Sequence, residues 1–285
     1  MKKIVCLYDF SLSSENALRY ANELAQILQA RLLLFYNVPA SAAATPASGG
    51  APEHTQLVAQ LEERNEHVKR LEEVKRRLAY DDPARQSSLE CVIKYGSAKE
   101  NISSLVREAQ VDLVVVGNED AEALQEIFAG SVAAGIIDRV HCPVLVIPER
   151  ASFKSFRKIV YAVDQIQEPY EDAGLVLQLA QVFGSEILLL HVLTKEQTSA
   201  NATANEEVYA LSSWRSHKHV SYHVIISESI EEGISQFTRE NRVDMLVLGH
   251  HAENPWQHLL QKSQPNQKAY HTYLPVLFTH IKRHS

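Results

Sequence analysis

Short apolar runs, rich in β-branched residues, alternate along the chain with longer segments whose apolar residues recur every three or four positions. Such runs are typical of strands that are buried on both faces of a parallel sheet. They occupy residues 3–9, 31–38, 88–94, 112–117 and 143–148 in the first half, and residues 158–164, 186–192, 220–226, 244–249 and 275–280 in the second half. Strands that alternate with helices predict right-handed crossovers and, in each half, an open five-stranded parallel sheet with helices on both faces.

The segments between the runs predict helices. Ser13 or Ser14 can cap a helix that follows the first strand. A long charged helix is expected over residues 53–79, where apolar residues recur at helical spacing. The last helix of the first half should begin near Ser131 and end before Pro143.

The two halves of the chain repeat each other. The sequence VDLVVVG at residues 111–117 returns as VDMLVLG at residues 243–249, and PVL at residues 143–145 returns at residues 275–277, with the same shift of 132 positions. The strands that open the two halves are related by a shift of 155 positions instead. The first copy therefore carries an insertion between its second strand and Gly96.

Two domains follow from this repeat, with predicted ranges of residues 1–150 and 151–285. The connection between them is short, so the halves should stay in contact and pair as an intramolecular pseudo-dimer. Association of two chains into a homodimer is left open. Residues 40–52, with two prolines and a Gly-Gly pair, are expected to form a flexible loop that accounts for part of the insertion.

Composition narrows the function classes. With 45% hydrophobic and 22% charged residues, a chain of 285 residues can fill two cores. Its net charge of −7 argues against a nucleic-acid partner, because a backbone-binding protein needs a basic face. The apolar run before Asp9 is too short for a signal peptide or a membrane span, so a cytoplasmic protein without a membrane partner is expected. Cys6, Cys91 and Cys142 suit reduced, buried thiols.

The expected ligand site lies beyond the carboxyl ends of the strands, because open α/β sheets bind ligands there, where the strand order reverses. Asp9, Val38 and the residues after Gly117 fall at that edge. Farther along, Gly130 lets a backbone approach a ligand closely. Ser131, at the start of a helix, offers a hydroxyl and free backbone N–H groups to an anion. This arrangement predicts a phosphate-binding turn.

The spacing between the fourth strand and the last helix of the first half resembles that of the universal stress protein family, which carries Gly-x-x-Gly, nine residues, then Gly-Ser or Gly-Thr. Gly117 and Gly130 hold the outer positions of this pattern. The aspartate after the first strand of each half, Asp9 and Asp164, also matches. The resemblance covers residues 2–281. It implies a tandem member with the Rossmann-like fold of adenine nucleotide alpha hydrolases, a family in which one branch binds ATP.

By this resemblance, Asp9 would contact a ribose and Val38 would line an adenine pocket. The residues that would surround the phosphates are Val116, Gly117, Gly130, Ser131 and Val132. The second glycine of the family is Asp120 in this chain. A carboxylate beside a triphosphate costs on the order of several kcal/mol unless a divalent cation lies between them. Asp120 therefore either requires Mg²⁺ or disfavours ATP.

The second half carries a degenerate version of this site. The positions assigned to it are Asp164, Val192, Gly249 and Ser263. The counterpart of Gly130 is Lys262, so a long cationic side chain replaces the glycine of close approach. We therefore expect at most one nucleotide per chain.

Histidines offer an alternative hypothesis. Ten of the thirteen lie from His191 onward, and His217, His219 and His223 would share a face if their segment were a strand. Imidazoles on one face can bind zinc, although a site needs three or four converging ligands. Solvated or packed histidines are the plainer explanation.

The chain has no Gly-x-Ser-x-Gly, His-Glu-x-x-His or Walker-type phosphate loop, so a binding or signalling protein is predicted, not an enzyme. The first hypothesis is a stress-response protein that binds ATP or a related adenine nucleotide in its first half. Binding would then alter a surface for a protein partner that the sequence does not identify. The second hypothesis is an interaction scaffold of the same fold that has lost nucleotide affinity.

Overall fold

The computed structural model of the chain describes residues 2–38, 53–78, 88–119, 132–163, 173–194, 214, 217–250 and 274–280. The first half contains β1 (Lys3–Leu7), α1 (Leu12–Ile27), β2 (Arg31–Val38), α2 (Glu53–Leu78), β3 (Leu89–Tyr95), α3 (Ala98–Ala109), β4 (Leu113–Asn118), α4 (Val132–Ile137) and β5 (Val144–Pro148). The second half contains β6 (Lys158–Val163), α5 (Ala173–Phe183), β7 (Glu186–Thr194), β8 (Val220–Ser227), α6 (Ile230–Glu240), β9 (Met245–His250) and β10 (Val276–His280). All ten predicted strands are present.

The strands form one continuous sheet in the order β3-β2-β1-β4-β5-β10-β9-β6-β7-β8. Within each half the five strands are parallel, and the halves join where β5 and β10 pair antiparallel, with Leu145 opposite Leu277. The predicted architecture of two five-stranded α/β units packed as a pseudo-dimer is therefore confirmed. The proposed domain boundary after residue 150 falls in the connection between β5 and β6.

Side chains of alternate strand residues pack into two hydrophobic cores, one on each face of the sheet. On the first face, α1, α2 and α5 cover residues such as Ile4 and Cys6, and on the second face α3, α4 and α6 cover residues such as Val5. Burial of one such aliphatic side chain stabilises the fold by roughly 1.5–3 kcal/mol. All three cysteines are free. Burial raises the pKa of the Cys142 thiol to about 12.

One helix end differs from the prediction. Ser11, not Ser13 or Ser14, caps α1, because its Oγ accepts the backbone N–H of Ser14 at 3.1 Å. The predicted caps instead occupy the first turn, where their own amides need an acceptor. The helix α4 ends at Ile137, before Pro143 as predicted, and the Arg139 N–H donates to the Ile136 carbonyl just beyond it. Its predicted first residue, Ser131, lies outside the described residues.

The helix α2 lies in the connection that is longer in the first half, spanning residues 39–88 between β2 and β3 against residues 195–219 between β7 and β8. It confirms the charged helix predicted there, and it packs Leu71 and Val74 into the first core while Val68 stays exposed. The predicted loop 40–52 lies outside the described residues. None of the described helices is long and apolar enough to cross a bilayer.

Candidate functional site

A cavity of about 520 Å³ opens at the carboxyl ends of β1, β2 and β4. Its size suits a small organic ligand, since such pockets measure roughly 300–1,000 Å³. The strand β1 lies between β2 and β4, so the cavity sits where the strand order reverses. The lining residues are Leu7, Tyr8, Asp9, Ser13, Ser14, Phe35, Asn37, Ala98, Val116, Gly117, Asn118, Glu119 and Ala133.

Asp9 supplies an ionised acceptor to the cavity wall. One carboxylate oxygen, Oδ1, accepts the Ser11 N–H at 3.0 Å, and the Asp9 N–H donates to Ser14 Oγ at 3.3 Å. Partial burial raises the pKa of Asp9, but hydrogen bonds from Ser11 and Ser14 outweigh that effect and hold the pKa below its usual value. The carboxylate is therefore charged at neutral pH.

Gly117 has a packing reason for its identity. A Cβ at this position would collide with the Ser13 carbonyl and stand 2.8 Å from the Ser14 nitrogen. Both are backbone atoms of the first turn of α1, and backbone cannot yield as a flexible side chain can. The absence of a side chain at residue 117 therefore lets α1 approach β4 closely and shapes the floor of the cavity.

Asn118, the last residue of β4, carries a buried polar group that finds no partner in the described part of the chain. The residue is 7% exposed, and its Nδ2 meets no hydrogen-bond acceptor there. A buried donor left unpaired costs about 1–3 kcal/mol, so such groups mark places where a ligand can supply the missing atom. The residues after Gly117 were predicted to lie at the site, but Asn118 was not named among them. The available signal was a polar residue closing an otherwise apolar strand.

Asn37 stabilises the opposite rim of the cavity through hydrogen bonds. Its Nδ2 donates to the Gly96 carbonyl at 2.9 Å, and its Oδ1 accepts from Asn101 Nδ2 at 2.8 Å. Asn101 also donates to the Tyr95 carbonyl, and Gly96 adopts a φ of +107°, which favours glycine. This network ties the turn between β3 and α3 to the end of β2. Neither asparagine was among the predicted site residues.

The structure brings together some of the predicted site residues. Asp9, Val116 and Gly117 line the cavity. Val38 is buried and is not among the lining residues, because side chains alternate along β2 and its neighbour Asn37 faces the cavity. Val132 is the first residue of α4, next to the lining residue Ala133. The remaining positions, Asp120, Gly130 and Ser131, lie outside the described residues.

Comparison with known proteins settles the family. The model of the Universal stress protein family matches residues 1–148 and again residues 155–280. The chain belongs to the universal stress protein family. A universal stress protein from Synechocystis is 28% identical over 152 residues, which cover 51% of this chain and 96% of that relative. The chain is thus a tandem member, as the repeat and the motif predicted.

Solved structures extend the likeness across both halves. A universal stress protein from Archaeoglobus fulgidus has a TM-score of 0.68 at 16% identity, covering 98% of this chain and 96% of that one. A putative universal stress protein from Pseudomonas aeruginosa has a TM-score of 0.55 at 13% identity, covering 98% and 93% respectively. These similarities show the shared fold of the tandem universal stress protein architecture.

In the second half of this universal stress protein, the register of the sheet corrects one assignment. Lys3 pairs with Arg31 as Lys158 pairs with Glu186, so Val192 matches Asn37, and Leu193 matches Val38. Val192 is buried in the second core. Gly249 lies in β9 one residue before its end at His250, although the predicted strand ended at residue 249. Asp164 and Ser263 lie outside the described residues.

The described histidines do not converge on a common point. His217 Nε2 lies 2.7 Å from the Ser185 carbonyl, whereas the His223 ring packs on Phe237, with 5.2 Å between ring centroids. Only His223 belongs to β8, which begins at Val220, so the three histidines do not share one strand face. Among the described residues, no group of three His, Cys, Asp or Glu side chains stands close enough to hold a metal.

Proposed function

We propose that the first half binds ATP or a related adenine nucleotide in the cavity at the ends of β1 and β4, and that the protein acts as a nucleotide-dependent regulator in the stress response. The observation that carries the proposal is a ligand-sized cavity at the reversal of strand order. It pairs an ionised acceptor, Asp9, with a donor, Asn118 Nδ2, that meets no acceptor among the residues the structure describes. These two groups complement a ribose hydroxyl and a ligand oxygen.

Residue roles follow from this placement. Asp9 accepts from a ribose hydroxyl, and Asn118 donates to an oxygen of the sugar or phosphate. The adenine-side wall is proposed near Val38, where Phe35 and Asn37 face the cavity. The proposed phosphate-side residues are Val116, Gly117, Asp120, Gly130, Ser131 and Val132.

Charge in the lining shapes which form of the ligand is favoured. The described lining residues include Asp9 and Glu119 but no Lys, Arg or His. The adjoining sequence adds further acids at Asp120, Glu122 and Glu126. A triphosphate is therefore proposed to enter as its Mg²⁺ complex. We also propose binding and not phosphoryl transfer, because that reaction needs cations positioned on the transferred group.

Titration calorimetry with ATP, with and without Mg²⁺, tests the proposal on the whole chain. One nucleotide per chain is expected, with Asp9→Asn weakening affinity about tenfold, within the range of hydrogen bonds to a charged group. The matched control is Asp164→Asn in the second half, which should leave affinity unchanged. No heat at millimolar ATP, AMP or adenosine would reject the nucleotide proposal.

The scaffold remains a second candidate because an acid, Asp120, stands where the family has glycine. Asp120→Gly separates the two. If the wild-type chain binds no nucleotide but Asp120→Gly does, Asp120 has abolished nucleotide affinity, as the scaffold hypothesis expects. Equal binding by both chains would reject the scaffold.

A further inference from the structure

We propose that α2 is a positioning element for the nucleotide site, holding the turn that carries Asp9 through Arg70 and Arg77. The inference rests on the proposed function, since it takes Asp9 to meet the ligand. It concerns the connection that is longer in the first half than in the second, so it would give the first site a means of control that the repeat itself does not supply.

The turn between β1 and α1 contains an energetically costly residue. Phe10, which follows Asp9 directly, has a φ of +68°, in the left-handed region that non-glycine residues rarely adopt. Its other neighbour, Ser11, caps α1 and donates its N–H to Asp9 Oδ1. A residue in this conformation persists where its surroundings hold it there. Any relaxation of Phe10 would move the Asp9 carboxylate and the Ser11 cap together.

The Phe10 ring is held from three sides. The Arg70 guanidinium of α2 lies over its face, 3.8 Å from the ring centroid. Tyr8 and Tyr36 pack edge-on, with centroids 4.9 Å and 5.2 Å away. Tyr8 and Tyr36 belong to the sheet region itself, so Arg70 is the contact that depends on α2.

A second contact joins α2 to the first turn of α1, which follows the turn that carries Asp9. Arg77 Nη2 donates to both carboxylate oxygens of Glu15, at 2.6 Å and 2.8 Å, and the Tyr8 hydroxyl donates to Glu15 Oε2 at 2.7 Å. Partial burial raises the pKa of Glu15, but the hydrogen bonds from Tyr8 and Arg77 together hold it below its usual value, so the carboxylate is ionised. Arg77 thereby fixes a tyrosine through a shared carboxylate.

Tyr8 is the wall between two cavities. On one side it lines the proposed nucleotide cavity, and on the other it lines a cavity of about 280 Å³ between the turn and α2. Arg70 and Arg77 both border that second cavity. A shift of α2 would therefore reach Asp9 by two routes, through Phe10 and through Tyr8.

The helix is anchored well enough to transmit such a constraint. Leu71 and Val74 are buried in the first core, and the His67 ring packs against Tyr36 with 5.0 Å between centroids. By linkage, if seating of α2 favours the ligand-binding turn, ligand binding favours the seating of α2 by the same factor. Nucleotide should accordingly slow backbone hydrogen exchange in α2.

The experiment compares Arg70→Gln/Arg77→Gln with Arg76→Gln in the full chain. Arg76 lies on the same helix but bonds to the Glu72 carbonyl of α2 itself, so its loss leaves the turn untouched. The double variant should bind Mg-ATP about tenfold more weakly, a typical coupling, and exchange the Ser11 and Ser14 amides faster. Arg76→Gln should change neither quantity. Arg70→Lys, which keeps a cation over Phe10, should restore most of the affinity lost in Arg70→Gln.

Two results would overturn the proposal: wild-type affinity in the double variant, or wild-type exchange at Ser11 and Ser14. A Phe10→Gly background gives a further check, because glycine accepts the positive φ freely, so Arg70→Gln should have little effect there. If the wild-type chain binds no nucleotide, the proposed function fails. The exchange measurement then still decides whether α2 holds the turn.

Discussion

The two halves share a frame but differ at the site. In the first half, Asn37 and Asn101 hydrogen-bond at 2.8 Å beside the cavity. The matching pair in the second half is Val192 and Gly233, where a Cβ added to the glycine would lie 2.6 Å from Val192 Cγ1. The hydrogen bond between two asparagines has thus been replaced by the packing of a valine side chain against a glycine. Of the other cavity positions, Tyr8 is matched by the apolar Val163, and Ala98 and Val116 are matched by the larger aliphatic residues Ile230 and Leu248.

The helix caps and the hydrogen bonds at the starts of the strands, by contrast, are the same in both halves. Ser97 and Ser229 cap α3 and α6, and each accepts the N–H three residues later. Asp112 Oδ2 accepts the Lys3 N–H at 2.8 Å, as Asp244 Oδ2 accepts the Lys158 N–H at 3.0 Å. Duplication has therefore preserved the caps and strand-end hydrogen bonds, while the Asn37–Asn101 pair beside the cavity is not repeated in the second half.

The largest effect is expected from adding a side chain to Gly117. Gly117→Ala should destabilise the chain by about 3 kcal/mol, the upper end for overpacking, because the new Cβ meets rigid backbone of α1. Gly233→Ala should cost about 1 kcal/mol, since the Val192 side chain can shift. Urea denaturation measures both. Equal costs would show that the two close approaches are equivalent.

Making the first half resemble the second is the next test. Asn37→Val should cost about 2 kcal/mol, because it leaves the Gly96 carbonyl and one Asn101 hydrogen unpaired. Adding Asn101→Gly should recover part of that cost, by analogy with Val192 and Gly233, and the two changes should couple by at least about 0.5 kcal/mol. Denaturant midpoints for the four chains of this cycle provide the measurement. Strict additivity would mean that the pair does not act as a unit.

Asn118→Leu sharpens the comparison by separating stability from binding. The free chain should be as stable as the wild type or more stable by about 1 kcal/mol, because a buried unpaired donor disappears. Nucleotide affinity should fall about tenfold, since the ligand loses a hydrogen bond. Thermal unfolding without ligand measures the predicted stability, and calorimetry measures the predicted loss of affinity. A clear loss of stability without ligand would show that Asn118 serves the fold instead.

The smallest effect concerns pH. The pKa of Asp9 is lower in the folded chain than its ordinary value near 3.8, so Asp9 stabilises the fold above that pH. This stabilisation is lost as the pH falls below about 3.8 and through the depressed folded pKa. Because Asp9 is partly exposed, the change should stay below about 1 kcal/mol. Asp9→Asn should flatten this part of the stability profile, measured by urea unfolding between pH 5 and about pH 2.

Much of the site was accessible from the sequence, but unevenly. Asp9, Val116 and Gly117 were predicted because the end of an apolar strand is visible as a pattern, and the sheet rule places strand ends at one edge. Val38 was assigned by the same rule, yet side-chain alternation along β2 turns Asn37 toward the cavity instead. The assignment of Val192 has a different origin, because the shift of 155 positions between the opening strands already pairs Val38 with Leu193.

The sequence by itself determined the fold, the duplication and the family, because strand periodicity, a repeat with a constant shift and a glycine spacing can all be read along the linear chain. Only the tertiary structure decided which side chains meet across large separations. The contact of Arg77 with Glu15, the bond between Asn37 and Asn101 and the unpaired Nδ2 of Asn118 all depend on how distant segments pack. No local pattern encodes such contacts, since each partner alone looks like an ordinary polar residue on a helix or at a strand end.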